Sequence, residues 1–340
     1  MAVDDRPLAT TDGEIAAINL QSARGRAWAR FADAPLLRGI AEEIVDSERL
    51  VVQFLGDLSA LDRLEALALQ LARFEDSPRT ALIQADVASM AHRFTAARAH
   101  LSHAALMGAA RDEFERRVLA IDQACGVGLE SVLSARRRIA DASGKLEDLV
   151  PLGAVLADLE RPAEAVAVYR RALSSYDGVS PFPPAWVCFQ LGMLWGESIA
   201  VPDPPVAALW YRRAIAYVPG YVKARVHWAE ICTDQGRPDD AVTILAPAIP
   251  SSDPEVAWRL ADALVAQGHD GEAKAHVDAA RCGFDQLLAR HPLAFADHAA
   301  EFYAGSGDDR ARAIELARTN VANRATRRAI QQAHALGLCA

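Results

Sequence analysis

A chain of 340 residues that is 51% hydrophobic can build a large core, yet only 6% of it is aromatic and β-branched runs of strand length are nearly absent. That excludes a sheet-rich enzyme and leaves an all-α protein of small, closely packed side chains. A formal charge of -9 argues against a general nucleic-acid or anionic-membrane binder.

Residues 1–13 read as a disordered leader, polar and broken by Pro7 and a Thr-Thr-Asp-Gly cluster, with Thr11 or Asp12 able to cap a helix starting near Glu14. From 14 to 145 the pattern is helical but irregular. Leu50 to Phe74 alternates apolar faces around Gly56-Asp57, and Ser77-Pro78 closes that pair. Ala81 to Ala104 forms a better pair, turning at His92-Arg93, and Glu130 to Ala142 is a weaker helix in which bulky Arg138 sits at a small-residue position.

From 146 to 325 the pattern becomes regular. Leu149, Leu152, Gly153 and Leu156 share one helix face, and after a turn at Glu160-Arg161-Pro162, Ala165, Tyr169 and Ala172 form its match. Leu191, Gly192 and Trp195 followed by Ala207, Tyr211, Ala214 and Pro219 repeat the order. Small residues let two helix backbones approach, and large ones fill the gaps between turns. Alanines mark the second helices at 165, 207, 241, 273 and 313, with spacings of 42, 34, 32 and 40 residues. The first long spacing holds the proline clusters around Pro183 and Pro204; the last holds Phe284, Leu287 and Leu288, which extend a helix to a His-Pro stop. Residues 326–340 contain a last helix, Arg327 to Ala335, placed to cap the open end of a stack.

This pattern resembles the tetratricopeptide repeat, a helix–turn–helix unit of about 34 residues. The resemblance implies a right-handed α-solenoid: irregular or degenerate pairs over 14–145, five units over 146–325, and the capping helix. It also implies a concave face lined by the first helix of each pair, where family members bind peptide segments of partner proteins. Carried over unit by unit, the groove positions are Asp158, then Trp186, Phe189, Met193 and Glu197, then Lys223, Glu230 and Asp234, then Trp258 and Asp262, and in the fifth unit Asp297 and Glu301. Such a surface is acidic with aromatic patches and would favour a protein or peptide with basic and apolar residues. Those aromatics equally suit contacts between units. The Lys and Arg pattern with which some family members clamp a chaperone C-terminus is absent.

Sites for chemistry are sparse. Ser143-Gly144-Lys145 lacks the upstream glycine of a phosphate loop, and Gly305-Ser306-Gly307 reads as a turn between helices. His100 and His103, with His92, share helical spacing but lack an acidic ligand. Asp297-His298-x-x-Glu301 places His and Glu one turn apart, too few ligands alone. Five cysteines, at 125, 188, 232, 282 and 339, form no C-x-x-C, so neither a disulfide framework nor a zinc knuckle is expected. No catalytic, cofactor or metal residues are assigned. The expectation is a cytoplasmic, non-enzymatic scaffold with no membrane insertion and no nucleic-acid partner, its exposed end leaving homo-oligomers open. The alternative is a small-molecule sensor with a pocket between the N-terminal helices and the array. The Ala/Arg/Asp-rich composition suggests a bacterial source.

Overall fold

In the computed structural model, which describes residues 8–338, every regular element is helical. The N-terminal part comprises α1 (Gly13–Asp33), α2 (Ile40–Leu55), α3 (Ala60–Phe74), α4 (Pro78–Met90), α5 (Phe94–Leu106), α6 (Arg111–Ala124) and α7 (Leu129–Ser143). The regular units follow: α8 (Leu146–Asp158) with α9 (Pro162–Ser174), α10 (Phe182–Met193) with α11 (Pro204–Tyr217), and α12 (Val222–Asp234) with α13 (Pro238–Leu245). Then come α14 (Pro254–Ala266) with α15 (Asp270–Arg290), α16 (Pro292–Ala304) with α17 (Arg310–Asn323), and α18 (Arg327–Ala335).

Each helix pair packs as the small–large pattern requires. A Cβ added at Gly153 would lie 2.5 Å from Cε1 of Tyr169, and one at Gly192 would collide with the ring of Tyr211. The same contact thus recurs in two consecutive units, each with a buried tyrosine on the second helix against a glycine on the first. Proline opens α9, α13, α14 and α16, where its missing N–H costs nothing. The long first spacing is absorbed by a single π-helical turn, Leu194–Ser198, and a loop that ends on Asp203, whose carboxylate caps α11 by accepting from Val206 N. In α15 one 21-residue helix runs unbroken to Arg290, as Phe284, Leu287 and Leu288 foretold.

The array closes on itself. Phe54 of α2 packs between Phe182 and Tyr221, with ring centroids at 5.0 and 4.5 Å, so the largest hydrophobic core joins α1 and α2 to helices α6 to α12. Gly56, at φ +63°, lets the chain turn tightly against Val222, and its carbonyl accepts from Ser252 Oγ at 2.9 Å. Asp62 of α3 receives His291 Nε2 at 2.8 Å and Arg290 from the α15–α16 turn. His92, in the α4–α5 turn, lies with Nδ1 3.3 Å from the Leu293 carbonyl, while its own carbonyl accepts from Asn323 Nδ2 at 3.0 Å.

Residues 1–7 of the expected leader lie outside the described residues. Residues 8–12 are seated on the array: Leu8 N donates to the Tyr217 hydroxyl at 2.8 Å and Thr11 N to the Val179 carbonyl at 2.7 Å. Asp12 then caps α1 through Glu14 N and Ile15 N, at 2.9 and 3.1 Å. The physical reason is the close approach of Gly13 to the Tyr217 carbonyl, which any Cβ would block.

Candidate functional site

The first helices of the five pairs, α8, α10, α12, α14 and α16, are what the repeat pattern gives as the inner wall; α18 packs on α16 and α17, and side chains from Arg324 into α18 reach carboxylates of several units. Arg328 reaches Glu197 at 2.9 Å and Glu301 at 3.3 Å, and Arg324 pairs with Asp297, joining units that are distant in sequence. Arg327 adds a contact of 2.8 Å to Glu160, at the α8–α9 turn.

The positions carried over from the repeat pattern separate into three groups. Phe189 and Trp258 belong to the core and offer no surface: Phe189 packs on Tyr211, Tyr221 and His227, and Trp258 on Phe284 and Phe302, with its Nε1 donating to Ser306 Oγ. Trp186 and Met193 are half-buried against the same core as Phe189. The aromatic patches expected on the groove are therefore largely packing, because tight helix pairing draws large side chains inward.

A second group is ion-paired. Glu197 holds His227 Nδ1 at 3.0 Å as well as Arg328; although burial opposes ionisation, these cations keep its carboxyl at about 2. Glu230 and Asp262 clamp one guanidinium, that of Arg259, at 2.5 and 3.3 Å, and Arg259 stacks 3.8 Å above the Trp258 ring. Asp297 and Glu301 take Arg324 and Arg328. The wall is thus a lattice of both signs, and the expectation of an acidic groove omitted the cations that adjoining helices bring to it. Reversing Glu230 and Asp262 together would leave Arg259 with no carboxylate, so that pair is a poor probe of binding alone.

The third group stays open. Asp234 is exposed, Asp158 is exposed and accepts from Gln123 Nε2 at 3.2 Å, and Lys223 faces a cavity that opens to solvent. That cavity, of about 420 Å³, lies between α2, α3 and the α4–α5 turn on one side and α12, α14 and α16 to α18 on the other. Its wall includes His92, Asp253, Glu255, Asp297, His298 and Arg324.

His298 does not pair with Glu301, its neighbour at helical spacing. It bonds Glu255 Oε1 at 3.1 Å from α14, and Asp297 Oδ2 lies 3.7 Å away. Burial lowers its proton affinity, but the two carboxylates outweigh that and raise it to about 9, so it is an imidazolium at neutral pH. His92 is the opposite case: burial, reinforced by Arg324 and Lys223, drops it to about 4 and leaves it neutral. Asp253, fully enclosed beside Glu255, rises to about 6 because burial penalises its charge. His103 bonds Asp76 at 2.8 Å, away from His92, and among the described residues no group of three or more His, Cys, Asp or Glu is placed to hold a metal ion.

Sequence reasoning missed Arg259, Glu255, Arg324 and Arg328. Arg324 fell in the last turn of the fifth unit and Arg328 in a segment read as a cap, and Glu255 looked like an ordinary first-turn carboxylate. Little local marks them: Arg259 has one partner, Asp262, at helical spacing, but its other partner, Glu230, and the carboxylates that meet Arg324 and Arg328 lie 27 residues or more away.

Among the described residues no helix is long and apolar enough to cross a membrane. No protein-family model and no curated protein sequence matches the chain. Among solved structures it is similar to the C-terminal part of a TPR repeat-containing protein from Cytophaga hutchinsonii, at 13% identity over 86% of this chain and 97% of that one, with a TM-score of 0.35. It is similar to yeast Tom70 at 9% identity over 94% and 80% of the two chains, with a TM-score of 0.35. A third is the APC/C hetero-tetramer Cut9–Hcn1, at 12% identity over 93% of this chain but 52% of that one, with a TM-score of 0.37. At such superpositions the assignment of tetratricopeptide-type pairing rests on this chain's own Gly–Tyr contacts and helix order.

Proposed function

We propose that the chain is a non-enzymatic interaction scaffold whose inner wall receives a basic segment of a protein partner. One observation carries the reading: Arg328, from α18, bonds Glu197 of the second unit and Glu301 of the fifth at 2.9 and 3.3 Å. Arg324 engages Asp297 in the same way. The chain thereby supplies an internal ligand, and its chemistry describes the external one: guanidinium groups a few residues apart, presented from a short polar segment. A stack of helix pairs holds these carboxylates in place before binding, so little ordering is required of the receptor.

A peptide copying residues 322–332 tests this directly, using fluorescence anisotropy with the full chain and with its Arg328→Ala variant. Arg328 is roughly half exposed, and its removal is expected to leave the fold intact while taking one cation from Glu197, which keeps His227, and from Glu301. The variant is expected to bind the peptide about tenfold more tightly than the parent chain, with affinity falling as salt rises. A peptide in which Arg328 is also alanine should lose that gain. Equal affinity for both proteins, or binding indifferent to salt, would remove the inner wall as the receptor.

A further inference from the structure

The cavity between the two halves of the closed array contains a cation, Lys223, whose nearest opposite charges, Asp253 and Glu255, act on it through space without a direct bond among the described residues. Lys223 lines it, half-buried, and forms no hydrogen bond or ion pair with any described residue. The other cations of the wall are engaged: His298 with Glu255, Arg324 with Asp297, Arg328 with Glu197 and Glu301, and Arg49 more loosely with Asp46 at 3.7 Å. Asp253 is likewise committed, accepting from Glu255 N at 3.0 Å. An ammonium partly withdrawn from water without an acceptor is costly, and an anion entering the cavity relieves that cost.

The surroundings narrow the class of anion. Val52, Leu58, Leu61, Met90 and Phe295 supply an apolar wall from α2, the α2–α3 turn, α3, α4 and α16. A volume of about 420 Å³ falls within the usual range for small-molecule sites. The wall offers a single uncommitted positive charge, and Asp253, Glu255 and Asp297 stand nearby. A dianionic phosphate would meet repulsion from those carboxylates, whereas one carboxylate matches one ammonium. Asp253, Glu255 and Asp297 each already hold a partner within the chain, in Glu255 N, His298 and Arg324, but Asp297 Oδ1 is left without one, which makes an amine the rival ligand to compare.

We infer that this cavity is a binding site for a small monocarboxylic acid with an apolar body, its carboxylate on Lys223 and its body against Val52, Leu61, Met90 and Phe295. His92 reports on occupancy, because the groups that face it from the packed elements are Lys223 of α12, Asp297 of α16, Arg324 after α17 and the Leu293 carbonyl. A bound carboxylate screens the two cations and allows the imidazole to protonate more readily. The site shares Asp297, Arg324 and Arg328 with the proposed partner-binding contact, but its test reads Lys223 and a small acid with no protein partner present, so either reading can fail without the other.

Phenylacetate and hexanoate, titrated into the full chain by calorimetry, are the probes, with 2-phenylethylamine and phenyl phosphate for comparison. The expected result is saturable one-to-one binding of at least one carboxylate, a higher melting temperature, and an upward shift of the His92 titration followed by NMR. Lys223→Met should weaken that binding by about tenfold or more without lowering the melting temperature of the unliganded chain, and Lys223→Arg should keep it. Failure of both carboxylates to saturate at millimolar concentration would overturn the inference. So would equal or tighter binding of the amine or the phosphate, or unchanged affinity in a folded Lys223→Met chain.

Discussion

Gly153 and Tyr169 show how a single side chain sets the distance between two helices. Alanine at 153 gains about 1 kcal/mol of helix propensity but must displace a fully buried ring from a position 2.5 Å away, and overpacking of that kind costs about 1–3 kcal/mol. We therefore expect Gly153→Ala to be destabilised overall, read as a lower denaturant midpoint with an unchanged slope. An increase in midpoint would mean that the tyrosine moves aside freely. The glycines and tyrosines of this contact are legible in sequence because they recur at fixed places in successive units.

His298 makes a different argument at the same scale. Its folded-state proton affinity, about 9, exceeds the ordinary histidine value, so its contact with Glu255 and Asp297 stabilises the fold fully below about pH 6.5. That contribution is lost as pH rises toward 9, and the melting temperature should fall across this interval. His298→Gln should flatten that part of the profile. A decline of the same size in the variant would assign the pH dependence to other groups. The sequence put His298 beside Glu301 on one helix; its working partner, Glu255, became visible only when α14 and α16 were packed together.

At the scale of elements, local chemistry accounts for most boundaries. Asp12, Ser77, Asp203, Asp253, Asp309 and Thr326 cap their helices through side-chain oxygens, and the prolines that follow several turns cannot continue the preceding helix. Helix α18 spans the residues expected from sequence, Arg327 to Ala335, yet its role differs from that of a simple end cap. Its first turn delivers Arg328 to carboxylates on two other units. The peptide competition with Arg328→Ala belongs to this scale, since it asks whether a terminal element occupies the place of a partner. The π turn at Leu194–Ser198 is another property of an element that sequence did not disclose, because the extra residues between Ala165 and Ala207 fit a longer loop equally well.

At the scale of the whole molecule, closure decides what the inner wall is. A repeat array left open presents its first helices to solvent, whereas here the α15–α16 turn clasps α3 through Asp62 and His291 at 2.8 Å, and His92 meets Leu293 and Asn323. Asp62→Ala should loosen this closure, with faster amide hydrogen exchange around residues 58–66 and 288–295 and little change in α8 to α11. Uniform acceleration would indicate general destabilisation, and no change would show that the apolar contacts of Phe54 suffice alone. By itself the sequence determined the all-α class, the helix pairs and their order, and the terminal helix, because periodicity, capping and small–large alternation act within about one repeat length. Only the tertiary structure decided that Trp258 and Phe189 are core, that the wall carboxylates meet Arg259, Arg324 and Arg328, and that Lys223 is left facing a cavity. Most of those outcomes depend on how helices from different units pack, which brings together side chains whose spacing in the chain carries no signal.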